Sequence, residues 1–299
     1  WMRVYEIPEG GKNTKGRAIQ NIINIESDDK VKAFLVTQDL KDEEYVNSHY
    51  VIMATKKGQV KKTSLEQYSR PRANGINAIT IKEDDELLEA KLTTGDSQVM
   101  LALKSGKAIR FEEAKTRPMG RTASGVRAIT LKDDKDEVIG MVAVNDLNCD
   151  ILVVSEKGYG KRSSLEDYRI TNRGGKGVKT LNISEKTGNL VAIKNVDDKN
   201  DLMIINKSGL TIRMAVEDLR VMGRATQGVR LINIKEDDAI AAVAKVVHED
   251  ENETQAESDS EIDNATDIGY INQDTGEFNK TLGIHISTPS RTTSGIGSV

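Results

Sequence analysis

Aromatic side chains are scarce in this 299-residue sequence, at 4%, so a buried core has to be built from Val, Ile, Leu, Ala and Met. Cysteine occurs once, at Cys149, which excludes an internal disulfide framework and fits a reducing cytoplasm. No run of 18 or more apolar residues exists, which excludes a membrane-spanning helix. The opening residues, WMRVYEIPEGGK, lack the apolar centre of a signal peptide. Beginning on Trp1, the sequence reads as a piece that starts inside a structural element. His49, His248 and His285 share no ligand spacing and Cys149 has no partner thiol, so no metal site is expected. No serine lies in a nucleophile-elbow setting. Helical periodicity beyond a turn or two is also missing.

Charge is present in both signs but unevenly placed. Residues 1–247 hold 41 Lys and Arg against 36 Asp and Glu, a net of +5, whereas residues 248–299 hold 11 acidic and 2 basic residues. Nine of those acidic residues fall in Glu249–Asp267, a stretch low in apolar residues and expected to be disordered. The last residues, IGYINQDTGEFNKTLGIHISTPSRTTSGIGSV, fit no repeat and read either as a flexible tail or as sequence unrelated to the domain. A mildly basic body with an acidic tail points to a polyanionic partner for the body.

The body repeats itself. Gly58, Gly106, Gly158 and Gly209 each close a short polar turn after an apolar run, YVIMAT, QVMLAL, DILVVS and DLMIIN. A glycine there supplies the positive φ of a tight hairpin. Gly75, Gly125, Gly177 and Gly228 follow, with Gly16 as a fifth copy, and each leads into a strand such as VRAITL or VRLINI. Polar turns such as Lys82–Asp85 lead to one more strand. A repeat of about 50 residues with about four short strands predicts an all-β, propeller-like array of four-stranded blades. Five blades are visible, roughly 1–38, 39–95, 96–145, 146–197 and 198–247, the first lacking its front and so leaving an unpaired edge. The SLEQY, SLEDY and AVEDL segments, at one repeat position, are read as strand ends or single turns.

Among candidate sites, TNRGGKGVKTL (Thr171–Leu181) combines glycine with cations but fails as a nucleotide loop. Lys176 is followed by Gly177 instead of Ser or Thr, and a strand follows instead of a helix. Tyr68 and Tyr168 share a repeat position with Thr116 and Leu219, a mixture that suits packing better than catalysis. The basic residues carry more information because they recur in register. Four residues before the second glycine stand Lys12, Arg121, Arg173 and Arg224, with Arg72 displaced by one. Two residues after it stand Arg127, Lys179 and Arg230, with Arg17 one residue after Gly16. Around the hairpins lie Lys61, Lys62, Lys107, Arg110, Lys161, Arg162 and Arg213. Repetition places equivalent residues on one rim, which predicts a cationic stripe tracking a nucleic-acid backbone, with Gly174, Gly175, Lys176 and Gly177 in its most glycine-rich loop. The paucity of aromatics and of a recognition helix argues for phosphate contact without base readout.

The segments VKKTSLEQYSRPRANGINAITIKEDDEL, MGRTASGVRAITL, EKGYGKRSSLEDY, TNRGGKGVKTLN and MGRATQGVRLINI resemble the C-terminal domain of the DNA gyrase A subunit, over essentially residues 1–247. The resemblance implies a β-pinwheel, a six-bladed propeller-like ring whose blades exchange strands. It also implies wrapping of double-stranded DNA around a basic perimeter, in support of ATP-dependent negative supercoiling. In such enzymes strand cleavage belongs to an N-terminal domain and ATP hydrolysis to a B subunit, joined in an A2B2 assembly. The resemblance therefore implies no catalytic, cofactor or small-molecule role for this chain, and a cytoplasmic setting without membrane contact. The family's signature box, Gln-Arg-Arg-Gly-Gly-Lys-Gly, sits in the first blade. Arg173, Gly174, Gly175, Lys176 and Gly177 match its last five positions in a later blade, where Thr171 and Asn172 replace Gln-Arg. Two other readings stay open: the related domain of topoisomerase IV, and a propeller-like protein-interaction module.

Overall fold

Each apolar run followed by a polar turn and glycine folds as an antiparallel hairpin. Gly58, Gly106, Gly158 and Gly209 take positive φ, and each N–H closes the turn onto the carbonyl three residues back. The computed structural model describes residues 1–10, 16–23, 25, 29–72, 74–235 and 238–247, and the backbone of 281–288. Strand β1 (Lys30–Thr37) is followed by a six-residue helix, α1 (Glu43–Ser48), capped by Asp42. Three strands come next, β2 (Tyr50–Thr55), β3 (Gln59–Ser64) and β4 (Leu87–Thr93). The third repeat supplies β5 (Gln98–Leu103), β6 (Lys107–Glu112), β7 (Val126–Arg127) and β8 (Val138–Val144). The fourth supplies β9 (Asp150–Ser155), β10 (Tyr159–Ser164), β11 (Val178–Lys179) and β12 (Leu190–Val196). The last supplies β13 (Asn200–Asn206), β14 (Thr211–Ala215), β15 (Val229–Arg230) and β16 (Ile240–Val247).

The sheets do not coincide with the sequence repeats. Their strand orders are β4-β2-β3-β7, β8-β5-β6-β11, β12-β9-β10-β15 and β16-β13-β14. In the three four-stranded sheets the outermost strand comes from the following repeat. All named strand pairs are antiparallel. The SLEQY and SLEDY segments form single 3-10 turns, Leu65–Tyr68 and Leu165–Asp167, and Glu113–Lys115 is a third at the same position.

The middle strands explain why their sequences are continuous apolar runs. Val99 and Leu101 of β5 pack towards Ile52 and Val60 of the preceding sheet, while Met100 and Ala102 pack towards Ile151 and Val153 of the next. A strand buried on both faces has no polar side to alternate with. The core is thus a series of clusters between neighbouring sheets. Tyr68 and Tyr168 are buried members, with their hydroxyls bonded to the carbonyl of Ala78 and to Thr180. Burial pushes both phenols up. Cys149 is also buried, and its thiol is likewise pushed up by burial.

In three repeats the second glycine, Gly125, Gly177 or Gly228, has a sharper role than a turn, whereas Gly16 and Gly75 have open space around them. At Gly228, φ is +82° and a Cβ would lie 2.4 Å from the carbonyl oxygen of Gly160 on β10. Gly125 meets Val60 on β3 in the same way, at 2.5 Å. These positions let one repeat lie directly on the hairpin backbone of its predecessor. Gly228→Ala is expected to cost about 1–3 kcal/mol from backbone conformation alone, with the clash in addition. Gly209→Ala, with φ +87° and open space around it, should incur only the first part. Denaturant unfolding of the two variants measures the difference.

The tail departs from expectation at one place. Thr281–Thr288, here β17, pairs antiparallel with β1 in a two-stranded sheet. Its period-two pattern of Leu282, Ile284 and Ile286 suits a strand, and it satisfies the hydrogen-bonding edge of β1. The acidic stretch Glu249–Asp267 lies outside the described residues.

Candidate nucleic-acid interface

Three loops, 116–125, 168–177 and 219–228, cross the outer hairpins of the preceding sheets and end in β7, β11 and β15. Their pairing fixes the register of the basic residues: Arg127 opposite Gln59, Lys179 opposite Lys107, and Arg230 opposite Tyr159. The cations two residues after the glycine therefore stand at equivalent points of consecutive blades, and all three are exposed. Arg230 donates to the hydroxyl of Tyr159 at 2.9 and 3.2 Å and to Asn233. That hydrogen bond, with Lys186 nearby, lowers the pKa of the Tyr159 phenol. Lys179 donates to Asn182 at 3.3 Å.

The cations four residues before the glycine brace neighbouring loops. Arg173 donates to the carbonyls of Lys115 and Arg127, at 3.0 and 3.1 Å. Arg224 repeats this one blade on, donating to Asp167 and Lys179 at 2.9 and 2.7 Å. Arg121 makes a longer bond to the carbonyl of Asn77 at 3.5 Å. All three are half-buried. Lys176 is exposed and its side chain has no hydrogen-bond or ion-pair partner among the described residues. The loop beneath it is held through its own backbone groups: the Thr130 N–H donates to the Gly175 carbonyl, the Thr130 hydroxyl to the Gly174 carbonyl, and the Gly174 N–H to the Ala128 carbonyl. Arg17 and Arg72 are exposed and Lys107 is half-buried. Lys12 lies outside the described residues.

Five of the cations expected on the stripe do not present their charge to solvent. Lys61, Lys62, Arg110, Lys161 and Arg162 are all buried. Lys62 pairs with buried Glu113 at 2.8 Å and lies over the Tyr50 ring. Arg110 donates to Gln98 and to the carbonyls of Leu165 and Tyr168 in the next blade. Arg162 pairs with Asp150 and Asp198 and reaches the carbonyl of Val216. Arg213, at the same repeat position, pairs with Asp201 at 2.6 Å but stays 45% exposed. The five buried cations share one reason: three or four residues after the hairpin glycine, each points into the seam covered by the next repeat and is consumed in joining blades, whereas β14, which carries Arg213, has no following strand laid on it.

The loops also bring out a column that register with the glycines alone did not single out. Arg117, Arg169 and Arg220 are exposed, eight residues before the second glycine in each case. The signal was available, because each directly follows the buried anchor Thr116, Tyr168 or Leu219. Among the described residues no group of three or more His, Cys, Asp or Glu could hold a metal ion, and no helix is long and apolar enough to cross a membrane.

Sheets that lend their outer strand to a neighbour, with basic loops stacked in register along that outer edge, define a β-pinwheel of the propeller class. The profile of the family described as DNA gyrase C-terminal domain, beta-propeller, matches residues 1–38, 49–94, 99–145, 150–197 and 200–246, and the chain belongs to that family. Among relatives, the DNA gyrase A subunit of Staphylococcus aureus (strain NCTC 8325 / PS 47) is 42% identical over 260 residues, covering 87% of this chain. Its counterpart in Staphylococcus epidermidis is 43% identical over 252 residues, covering 84%. The chain spans 29% and 28% of the length of those two relatives. The solved C-terminal domain of a DNA topoisomerase IV superposes with TM-score 0.74 at 24% identity, over 85% of this chain and 78% of that one. A solved DNA gyrase A C-terminal domain gives 0.68 at 21% identity, over 78% and 76%. These two establish the shared fold.

Proposed function

We propose that this domain binds double-stranded DNA by its phosphate backbone and wraps it along the loop-bearing edge, as the C-terminal part of a gyrase A subunit. The observation that carries this reading is the register of exposed cations on successive blades: Arg117, Arg169 and Arg220 in one column, Arg127, Lys179 and Arg230 in another. Arg17, Arg72, Lys107, Lys176 and Arg213 extend the surface, and Arg121, Arg173 and Arg224 set the spacing of its loops. Solvation alone gives no reason for charge to keep step with a glycine that the fold requires. Each cation near a phosphate releases condensed counterions, which offsets the cost of bending, on the order of 1–6 kcal/mol per 20–30 base pairs. No base-reading element is needed for this.

In this reading the domain is a wrapping module and not itself a catalyst. The parent A subunit would work with an ATPase B subunit, in an A2B2 complex in the cytoplasm, to introduce negative supercoils. Gyrase is favoured over topoisomerase IV by the match to the gyrase family and by identities above 40% to gyrase A subunits. Lys176 tests the local claim. Lys176→Ala is expected to lower the slope of log affinity against log salt by about 1, with unchanged sequence preference. An unchanged slope makes Lys176 a turn residue only. Wrapping itself is read by closing nicked circles on the domain: linking-number change in proportion to bound domain supports it, and binding without such change removes it.

A further inference from the structure

Two buried lysines lie directly under the rim loops and have no part in the reading above. Lys61 and Lys161 stand three residues after Gly58 and Gly158, on β3 and β10, and are 0% and 1% exposed. Neither has an ion-pair partner among the described residues. The Lys61 ammonium donates to the carbonyls of Ala78 and Arg121. That of Lys161 donates to the carbonyl of Gly223 at 2.7 Å and to the Thr226 hydroxyl at 3.2 Å. Apart from Ala78, their acceptors are thus the backbone of Arg121 itself and the residues bracketing Arg224.

The third loop shows that a lysine is not required to fill this space. Ile109 takes the same repeat position on β6, and its Cδ1 lies 3.5 Å from where a Cβ of Gly175 would be. There the loop is fastened by the bonds from Thr130 and Gly174 described above. An apolar residue fills the volume without the cost of burying a charge, so the two ammonium groups are serving their acceptors.

We propose that Lys61 and Lys161 are positioning residues whose buried ammonium groups pin the rim loops of Arg121 and Arg224, and that duplex binding to those loops is coupled to a proton held beneath each. The inference rests on the DNA-binding reading of the rim. Burial pushes both lysines down to about 8. Arg121 faces Lys61 and adds to that effect, and the Tyr68 hydroxyl shares its Ala78 acceptor. Lys161 faces Asp167, which favours the charged form, and Arg224, which opposes it. A phosphate arriving at the loop that carries Arg121 or Arg224 adds negative charge above the ammonium and favours its protonated form. Binding should then take up protons near pH 8 and not near pH 6.5, where both lysines are already charged.

The signs separate this from a purely structural role. The folded lysines titrate near 8 and unfolded lysine near 10.4, so between pH 8 and 9 the unfolded chain holds more protons. The contribution of these two residues to stability therefore rises with pH in that window, while affinity for the duplex falls. If phosphate raises each pKa by about one unit, the loss approaches tenfold per lysine at high pH.

The test is calorimetric titration of the full chain with a 40-base-pair duplex, in pairs of buffers differing in ionisation enthalpy, at pH 6.5, 8 and 9. Net proton uptake at pH 8, absent at pH 6.5, is the expected result. In Lys61→Arg/Lys161→Arg, charged throughout, the uptake should disappear and affinity at pH 9 should be retained. Lys61→Met/Lys161→Met should bind weakly at every pH without uptake. Binding at pH 6.5 with no uptake at pH 8, or uptake that persists in the arginine pair, overturns the proposal. Absence of binding by the unaltered chain at pH 6.5 and low salt instead removes the reading of the rim.

Discussion

Raising salt from 50 to 200 mM is expected to weaken binding of a duplex of arbitrary sequence by about 10³- to 10⁵-fold, the loss typical of six to ten neutralised phosphates. The exposed rim cations supply that number. Arg127, Lys179 and Arg230 alone provide three sites on three blades, Arg117, Arg169 and Arg220 three more, and Lys176, Arg72 and Arg17 lie on the same loops or their equivalents. The second half of the expectation is as demanding as the first. Scrambling the duplex sequence should change affinity little at any salt, because among the described residues the proposed rim carries no helix or aromatic platform with which to read bases. Fluorescence anisotropy across a salt series with two unrelated duplexes measures both. A slope near zero excludes a phosphate track, and a strong sequence preference excludes backbone contact as the main source of affinity.

The second large effect falls on a cation that sequence register assigns to the rim and the fold assigns to the interior. Lys62→Met is expected to destabilise the domain by about 3–5 kcal/mol, because it leaves a buried carboxylate without its counter-charge. Glu113 is 0% exposed and Lys62 5%, and their contact is 2.8 Å. Thr93 adds a hydrogen bond to the same carboxylate oxygen, which cannot replace the charge. The double variant Lys62→Met/Glu113→Leu should recover much of the loss, since an apolar pair of similar volume carries no desolvation cost. Chemical denaturation of both variants decides the matter. Undiminished stability of Lys62→Met, together with a reduced salt slope, would return Lys62 to the DNA-binding surface. Comparison with Lys176→Ala, where the slope should move and stability should not, makes the two kinds of cation distinguishable in the same assays.

The contrast shows what the sequence could convey. Hairpin position and the all-β class were legible because they depend on local events: a glycine at positive φ, an apolar run, a fixed spacing. The register of Arg127, Lys179 and Arg230 was legible for the same reason. Burial of Lys61, Lys62, Lys161 and Arg162 was not, because the covering loop arrives some 60 residues later in the chain. Before that loop is placed, VKKTS and GKRSS read as ordinary polar outer strands. The close approach of Gly125 and Gly228 to the preceding hairpin was hidden likewise: repetition marks a glycine as required without saying what it touches. Thr281–Thr288 has a local strand pattern, yet its partner β1 lies about 250 residues away.

Lending the outermost strand to the preceding sheet has a consequence for how the protein is made. β3 ends at Ser64, and the strand that covers it, Val126–Arg127, is translated 62 residues later. At about 5–20 residues per second, that edge waits on the order of 3–12 s on the ribosome before it is capped. The next two blades wait in turn, β6 for β11 and β10 for β15. A nascent chain of this design carries one unfinished edge forward from blade to blade. Slow codons would therefore prolong exposure most when they fall between a hairpin and its distant cover, such as between Ser64 and Val126, and matter least immediately after Arg127.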